Sequence, residues 1–132
     1  VLVIEDEPDV AKYLATILRT NGYEPHLVID PNEAFAKIAE IRPDLISLDI
    51  MMPEKSGLSM YTELRRQPEY RDVPVLIVSG MTEEAQFDFQ KLVSDESVPP
   101  PEGYFEKPID VDRYLEEIGR LLAQPRRAER KQ

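Results

Sequence analysis

Four short polar runs stand out in this chain: Glu5-Asp6-Glu7, Asp49, Ser79-Gly80 and Glu106-Lys107-Pro108. Each follows directly on an apolar run. Together they offer carboxylates, one hydroxyl and one ammonium. Carboxylates packed within a few ångström cannot all ionise comfortably, so they take up protons or a cation. A hard divalent ion such as Mg²⁺ suits carboxylate oxygens and keeps several waters. With such an ion in place, a phosphoryl group is no longer repelled. The ion and Lys107 offset the charge on its oxygens, and the Ser79 hydroxyl can donate to one of them. A carboxylate can itself be the nucleophile and form an acyl phosphate. Each run alone has a plainer reading: acids after a strand are often a solvated turn, and Ser-Gly or Lys-Pro is usually just a turn. What carries weight is that all four fall at the carboxyl ends of expected strands.

Those strands come from the hydrophobic pattern. Val1–Ile4, His26–Ile29, Asp44–Leu48, Val73–Val78 and Tyr104–Glu106 read as short strands. Between them, apolar residues recur at helical spacing. Val10, Leu14, Ile17 and Leu18 mark a first helix, opened by Pro8 and closed by Asn21-Gly22. A second helix is expected over Asn32–Ile41, and a third carries Leu58, Tyr61 and Leu64. A fourth runs from about Thr82 to Val93. The last carries Val111, Tyr114, Leu115, Ile118, Leu121 and Leu122. The polar stretch Ser94–Gly103, with three consecutive prolines, must be loop. Strand and helix alternating five times predict a doubly wound α/β fold, a parallel sheet with helices on both faces. In such sheets ligands bind beyond the carboxyl ends of the strands, where strand order reverses.

The same residues resemble a known family, the response-regulator receiver domains of two-component signalling. Val1 to Pro8 (VLVIEDEP) resembles the family's opening strand and acidic pair. Asp49 to Gly57 (DIMMPEKSG) matches its phosphoacceptor signature. Ser79 matches the switch hydroxyl, Lys107-Pro108 the phosphate-pairing lysine with its proline, and Tyr104 the switch aromatic. The resemblance spans residues 1–124 and leaves 125–132 as a basic tail or linker. It implies a flavodoxin-like (βα)5 fold with strand order 2-1-3-4-5. It implies that Asp49 is the phosphoacceptor and that Asp6 and Asp49 ligate Mg²⁺ (or Mn²⁺). The backbone carbonyl of Met51 would be a third ligand, and Glu5 would act through water. Lys107 and Ser79 would bind the phosphoryl oxygens, and the Lys107–Pro108 bond would be cis. The phosphodonor would be a histidine kinase or a phosphotransfer protein, and the target a downstream protein or a fused effector, with a homodimer also in view. The domain would be a signalling switch that catalyses only its own phosphorylation and slow dephosphorylation. Phosphorylation would draw Ser79 toward Asp49, and Tyr104 would turn from an exposed rotamer into the space vacated. Two features differ from the usual pattern: Glu5 stands where Asp is more common, and the stretch from Ser79 to Lys107 is long, the excess falling in Ser94–Gly103.

Composition narrows the alternatives. The net charge is −10, and residues 1–125 alone carry 12 bases against 25 acids. Such a body repels nucleic-acid phosphates, so direct nucleic-acid binding is not expected. There is no cysteine, hence no disulfide framework or thiolate metal site, and no apolar run approaches the length of a membrane span. Cytoplasm is the expected compartment. The chain begins at Val1, already inside a strand, so native residues or a domain are expected before it. A receiver acting alone by protein contact is the favoured context, with a segment of a longer regulator or hybrid kinase as the alternative. A haloacid-dehalogenase phosphatase also uses an aspartyl phosphate, but typically needs a second Asp two residues on, where this chain has Met51. An unphosphorylated pseudo-receiver would have a degenerate pocket, whereas Asp49, Asp6, Ser79 and Lys107 are all present. His26, the single histidine, is expected to be structural or exposed. Met52 is expected to be packing, Met51 to flank the pocket mouth, and one of Phe87 and Phe89 to face outward.

Overall fold

The computed structural model describes residues 1–49, 57–80 and 101–123, with Leu58 and Ser79 described by backbone alone. Met51 and Met52, the expected helix at 82–93 with Phe87 and Phe89, residues 94–100 of the expected loop and the tail 125–132 lie outside the described residues.

Five strands form one parallel sheet in the order β2-β1-β3-β4-β5. They are β1 (Leu2–Ile4), β2 (His26–Val28), β3 (Ile46–Asp49), β4 (Val75–Ser79) and β5 (Gly103–Glu106). The described helices are α1 (Pro8–Thr20), α2 (Ala34–Ile41), α3 (Gly57–Arg66) and α4 (Val111–Ala123). The chain runs from β1 out to β2, then returns across β1 to β3, so the order reverses between β1 and β3.

Alternation along the strands divides the core in two. Leu2, Ile4, Ile46, Leu48, Val75 and Ile77 face α2 and α3, where Ile38, Met60, Tyr61 and Leu64 meet them. Val3, Leu45, Leu76, Val78 and Phe105 face the other way, against Leu14 and Leu18 of α1 and Tyr114, Ile118 and Leu121 of α4. Both faces being covered explains why β1 and β3 are buried at every residue.

Local chemistry sets the element ends. In α1 Pro8 occupies the first turn, Asp9 lies at the positive end of the helix dipole and Arg19 at the negative end. Gly22, at φ +88°, carries the chain out of the helix in a conformation that favours glycine. The second helix starts later than its spacing predicts. Pro31–Glu33 forms a tight 3-10 turn, capped by the Asp30 side chain accepting from the Asn32 amide at 3.0 Å, and α2 proper begins at Ala34. At the sheet edge Gly103 opposes Leu76, and a Cβ on Gly103 would lie 2.7 Å from Leu76 Cδ2. Backbone and core side chain can approach that closely only because the residue is glycine.

Candidate functional site

The carboxyl ends of β1, β3 and β5 bring four of the expected side chains together. Asp49 is the last residue of β3 and is 3% exposed; Glu5 directly follows β1 and is 2% exposed. The Glu5 amide donates to the Val28 carbonyl at 3.0 Å, which continues the β1–β2 pairing and pins Glu5 at the sheet rim. Asp6 follows, half-buried. Oxygens of Glu5, Asp6 and Asp49 all lie within 4.8 Å of one another. Lys107 reaches in from the turn after β5, across a cis Lys107–Pro108 bond. Its Nζ is 2.7 Å from Glu5 Oε1 and 3.5 Å from Asp49 Oδ2.

Fully ionised, the cluster holds three negative charges against one positive, and the imbalance is visible in its protonation. Burial pushes the Glu5 carboxyl up to about 8; Asp49 adds to the rise and Lys107 opposes it. Burial, then the charge of Asp49, also raises Asp6. Burial alone would pull Lys107 down, but Glu5 and Asp49 outweigh it, so its affinity for the proton is raised and it stays an ammonium. Glu5 Oε2 and Asp6 Oδ1 are shielded from solvent, with no hydrogen-bond partner among the described residues. A buried acceptor without a donor is costly. Two such oxygens beside an excess of negative charge form a donor set that a divalent cation completes. The residues present therefore fit Mg²⁺.

The other expected residues fall as follows. Ser79 ends β4 opposite Glu106, one position beyond the Asp49–Val78 pairing, so its backbone stands at the rim of the pocket. Met51 lies outside the described residues. Glu7 is exposed at the start of α1 and is a solvated residue of the turn. Tyr104 differs from expectation. It is half-buried against the core on the α2 and α3 side, and its hydroxyl oxygen is shielded rather than exposed. The ring gains more from covering that core than from pointing into water. His26 opens β2 opposite Leu2, at the far end of the sheet.

Sequence reasoning passed over two buried polar contacts. Arg65 of α3 is fully buried and pairs with Glu102 at 2.7 Å. Tyr114 of α4, fully buried, donates its hydroxyl to Ser47 Oγ of β3 at 2.8 Å. A signal existed for the first: Arg65 stands four residues after Tyr61, on the stripe that faces the core.

Comparison with known proteins agrees with this geometry. The family model described as the response regulator receiver domain matches residues 1–119. Protein Rrf1 of Nitratidesulfovibrio vulgaris is 31% identical over 93% of this chain and 82% of its own length. RpaA of Synechocystis, a DNA-binding dual master transcriptional regulator, is 30% identical over 92% of this chain but 48% of its own length. PhoB of Escherichia coli, the phosphate regulon transcriptional regulatory protein, is 36% identical over 64% of this chain and 37% of its own. The chain thus spans half or less of the two transcriptional regulators. Among solved structures, the receiver domain of a Syntrophus aciditrophicus signal transduction histidine kinase superposes with a TM-score of 0.80 at 29% identity, covering 92% of this chain and 88% of that one. The chemotaxis protein CheY4 of Vibrio cholerae gives 0.76 at 26%, covering 91% and 95%. The matched sequence, the 2-1-3-4-5 sheet and the acidic cluster at its carboxyl end agree, and this chain belongs to the response regulator receiver domain family.

Proposed function

We propose that Asp49 is the phosphoacceptor of this receiver and that Glu5, Asp6, Asp49 and Lys107 form its phosphorylation pocket. One observation carries the reading. Asp49 is a buried carboxylate at a strand tip, with an ammonium 3.5 Å away and two further carboxylates within 4.8 Å. An Asp49 oxygen forms a bond to phosphorus as the donor's P–N bond breaks, and the phosphohistidine imidazole leaves. Water later cleaves the acyl phosphate. Asp6 and Asp49 would hold the divalent ion, with Glu5 (through water) and the Met51 carbonyl contributing. Bound there, Mg²⁺ would supply positive charge that offsets the charge of the transferring oxygens. Lys107 moves from Glu5 to a phosphoryl oxygen, and the Ser79 hydroxyl donates to another. Ser79 and Tyr104 then carry the change to the β4–β5 edge. Shifting a two-state balance from 1:99 to 99:1 takes about 5.5 kcal/mol. A few charge-assisted hydrogen bonds of roughly 1.5–3 kcal/mol each suffice.

In this reading the domain runs through residue 124, and residues 125–132 are a basic tail or linker. It takes phosphate from a histidine kinase or phosphotransfer protein in the cytoplasm and acts on a partner protein or fused effector, without itself binding nucleic acid. No helix among the described residues is long and apolar enough to cross a membrane. The test is incubation with acetyl phosphate and Mg²⁺ followed by intact mass. The wild type gains one phosphoryl group; Asp49→Asn gains none. An Asn variant phosphorylated at the wild-type rate removes Asp49 from this role.

A further inference from the structure

The amino end of the sheet carries an ion pair more deeply buried than the Lys107–Glu5 contact. Arg65 donates through Nε to the Tyr61 hydroxyl at 3.1 Å, and through Nη1 to the Arg71 and Val73 carbonyls at 2.8 and 2.7 Å. Its Nη2 donates to Glu102 Oε2 at 2.7 Å. Glu102 stands immediately before β5. The same Oε2 accepts from the Val75 amide at 2.7 Å, while the Glu102 amide donates to the Val75 carbonyl at 3.0 Å. Glu102 therefore grips the first residue of β4 with backbone and side chain together, and Arg65 ties that grip to α3.

The strand that follows needs such a grip. β5 has four residues, of which Phe105 is buried, and it lies at the edge of the sheet after the connection 80–102. Such a strand has little of its own to fix its register. A slip of one residue would send Phe105 to the wrong face and move every residue of the strand by about 3.3 Å. Lys107 begins at the end of that strand, and its ammonium meets Glu5 at 2.7 Å. Gly103 next to the grip works in the same direction, since a Cβ there would meet Leu76 Cδ2 at 2.7 Å and force that side chain to shift.

We propose that Arg65 and Glu102 are positioning residues for the pocket lysine. The buried pair sets the register of β5 and thereby places the Lys107 ammonium against Glu5 and Asp49 at the other end of the sheet. The consequence for phosphorylation rests on Asp49 being the phosphoacceptor; the placement of Lys107 does not, and it can be read separately.

The experiment is competitive acetylation of lysines by an N-hydroxysuccinimide ester under native conditions, read by peptide mass spectrometry on the full chain. In the wild type Lys107 labels more slowly than Lys12 and Lys37. Glu102→Ala speeds labelling of Lys107 while leaving Lys12 and Lys37 as they were. Glu102→Gln, whose amide oxygen still accepts from Arg65 and Val75, restores slow labelling. In parallel, Glu102→Ala lowers the rate of phosphorylation at saturating acetyl phosphate by about tenfold, as a misplaced charge-stabilising group would. A purely structural contact would lower the melting temperature and leave Lys107 labelling unchanged in the folded protein; that result overturns the proposal. Should Glu102→Ala unfold, as loss of circular dichroism would show, Arg65→Lys decides. It keeps the charge but loses the planar fork, and unchanged Lys107 labelling in it overturns the proposal equally. A wild type that is never phosphorylated would refute the reading of Asp49, and the labelling would still judge the positioning pair.

Discussion

The two ends of the sheet solve the problem of buried charge in opposite ways. At the amino end, the Arg65 guanidinium meets a hydroxyl, two carbonyls and the Glu102 carboxylate. Positive and negative charge balance there. At the carboxyl end, three carboxylates share one ammonium, and Glu5 Oε2 and Asp6 Oδ1 have no donor among the described residues. The first arrangement is complete as folded. The second is stable only in part and is completed from outside, by protons or a cation. A clasp needs satisfaction; a ligand site needs a deficit for the ligand to fill.

The sharpest way to break this contrast is to delete the cation at each end. Arg65→Met leaves the Glu102 carboxylate buried without its cation, and urea unfolding should show a loss of roughly 3–5 kcal/mol. Lys107→Met in saturating Mg²⁺ should cost less than about 1 kcal/mol, because an external cation stands in for the one removed and the site is partly open to solvent. Equal losses at the two ends would mean that the carboxyl-end pocket is a structural ion-pair cluster like the other.

Removing a carboxylate of the pocket sharpens the same contrast from the other side. Asp6→Asn takes away one of the carboxylates proposed to hold the ion, and Mg²⁺ affinity by calorimetry should fall by at least about tenfold. In the proposed pocket the phosphoryl group and the ion would lie against the same carboxylates, so each would improve the other's site by linkage. The Asp6 variant should accordingly lose Mg²⁺-dependent phosphorylation as well. Unchanged affinity in the variant would take Asp6 out of the site.

How much of this was legible beforehand divides along the same line. The pocket is spelled in consecutive residues at strand ends: Glu5-Asp6, Asp49 and Lys107-Pro108 could be found because apolar runs point at them. The clasp is not spelled that way. Arg65 and Glu102 are 37 positions apart, arginine is usually a surface residue, and Glu102 sits in a stretch that reads as loop. Tyr104 was placed in the right strand, but its half-buried setting depends on the core beside it, which the sequence of β5 does not contain. The late start of α2 was missed because Asp30 and Pro31 together favour a tight turn over a helical one, an effect of side-chain capping that apolar spacing does not register.

Acidity gives a third test, with a definite sign. In the metal-free protein the Glu5 carboxyl is raised from 4.5 to about 8. The folded state then holds a proton that the unfolded chain has released. This contribution to stability is fully present below 4.5 and is lost as pH rises through about 8. Asp6 is shifted in the same direction. Between those limits the melting temperature in EDTA should fall with rising pH. Saturating Mg²⁺ should flatten the slope, because the ion replaces the proton. A melting temperature that rises with pH in EDTA would show that Lys107 alone satisfies the cluster.

The smallest expected effect lies between the two ends. The Tyr114 hydroxyl donates to Ser47 Oγ at 2.8 Å, both groups are buried, and burial pushes the tyrosine up to about 12, so it stays a neutral donor at working pH. The bond joins α4 to β3 two residues before Asp49, and it is uncharged and complete. If completeness is what separates structural polar contacts from the pocket, its loss should be felt in stability and not in metal binding. Tyr114→Phe strands the Ser47 hydroxyl in the core and should cost about 1 kcal/mol in urea unfolding. Adding Ser47→Ala removes the stranded group and should recover part of that loss. Mg²⁺ affinity should be the same in all three proteins, since none of the changes touches Glu5, Asp6 or Asp49. A Tyr114→Phe protein of wild-type stability but weakened Mg²⁺ binding would tie this hydrogen bond to the pocket, and the division between complete and completable contacts would not hold for this sheet.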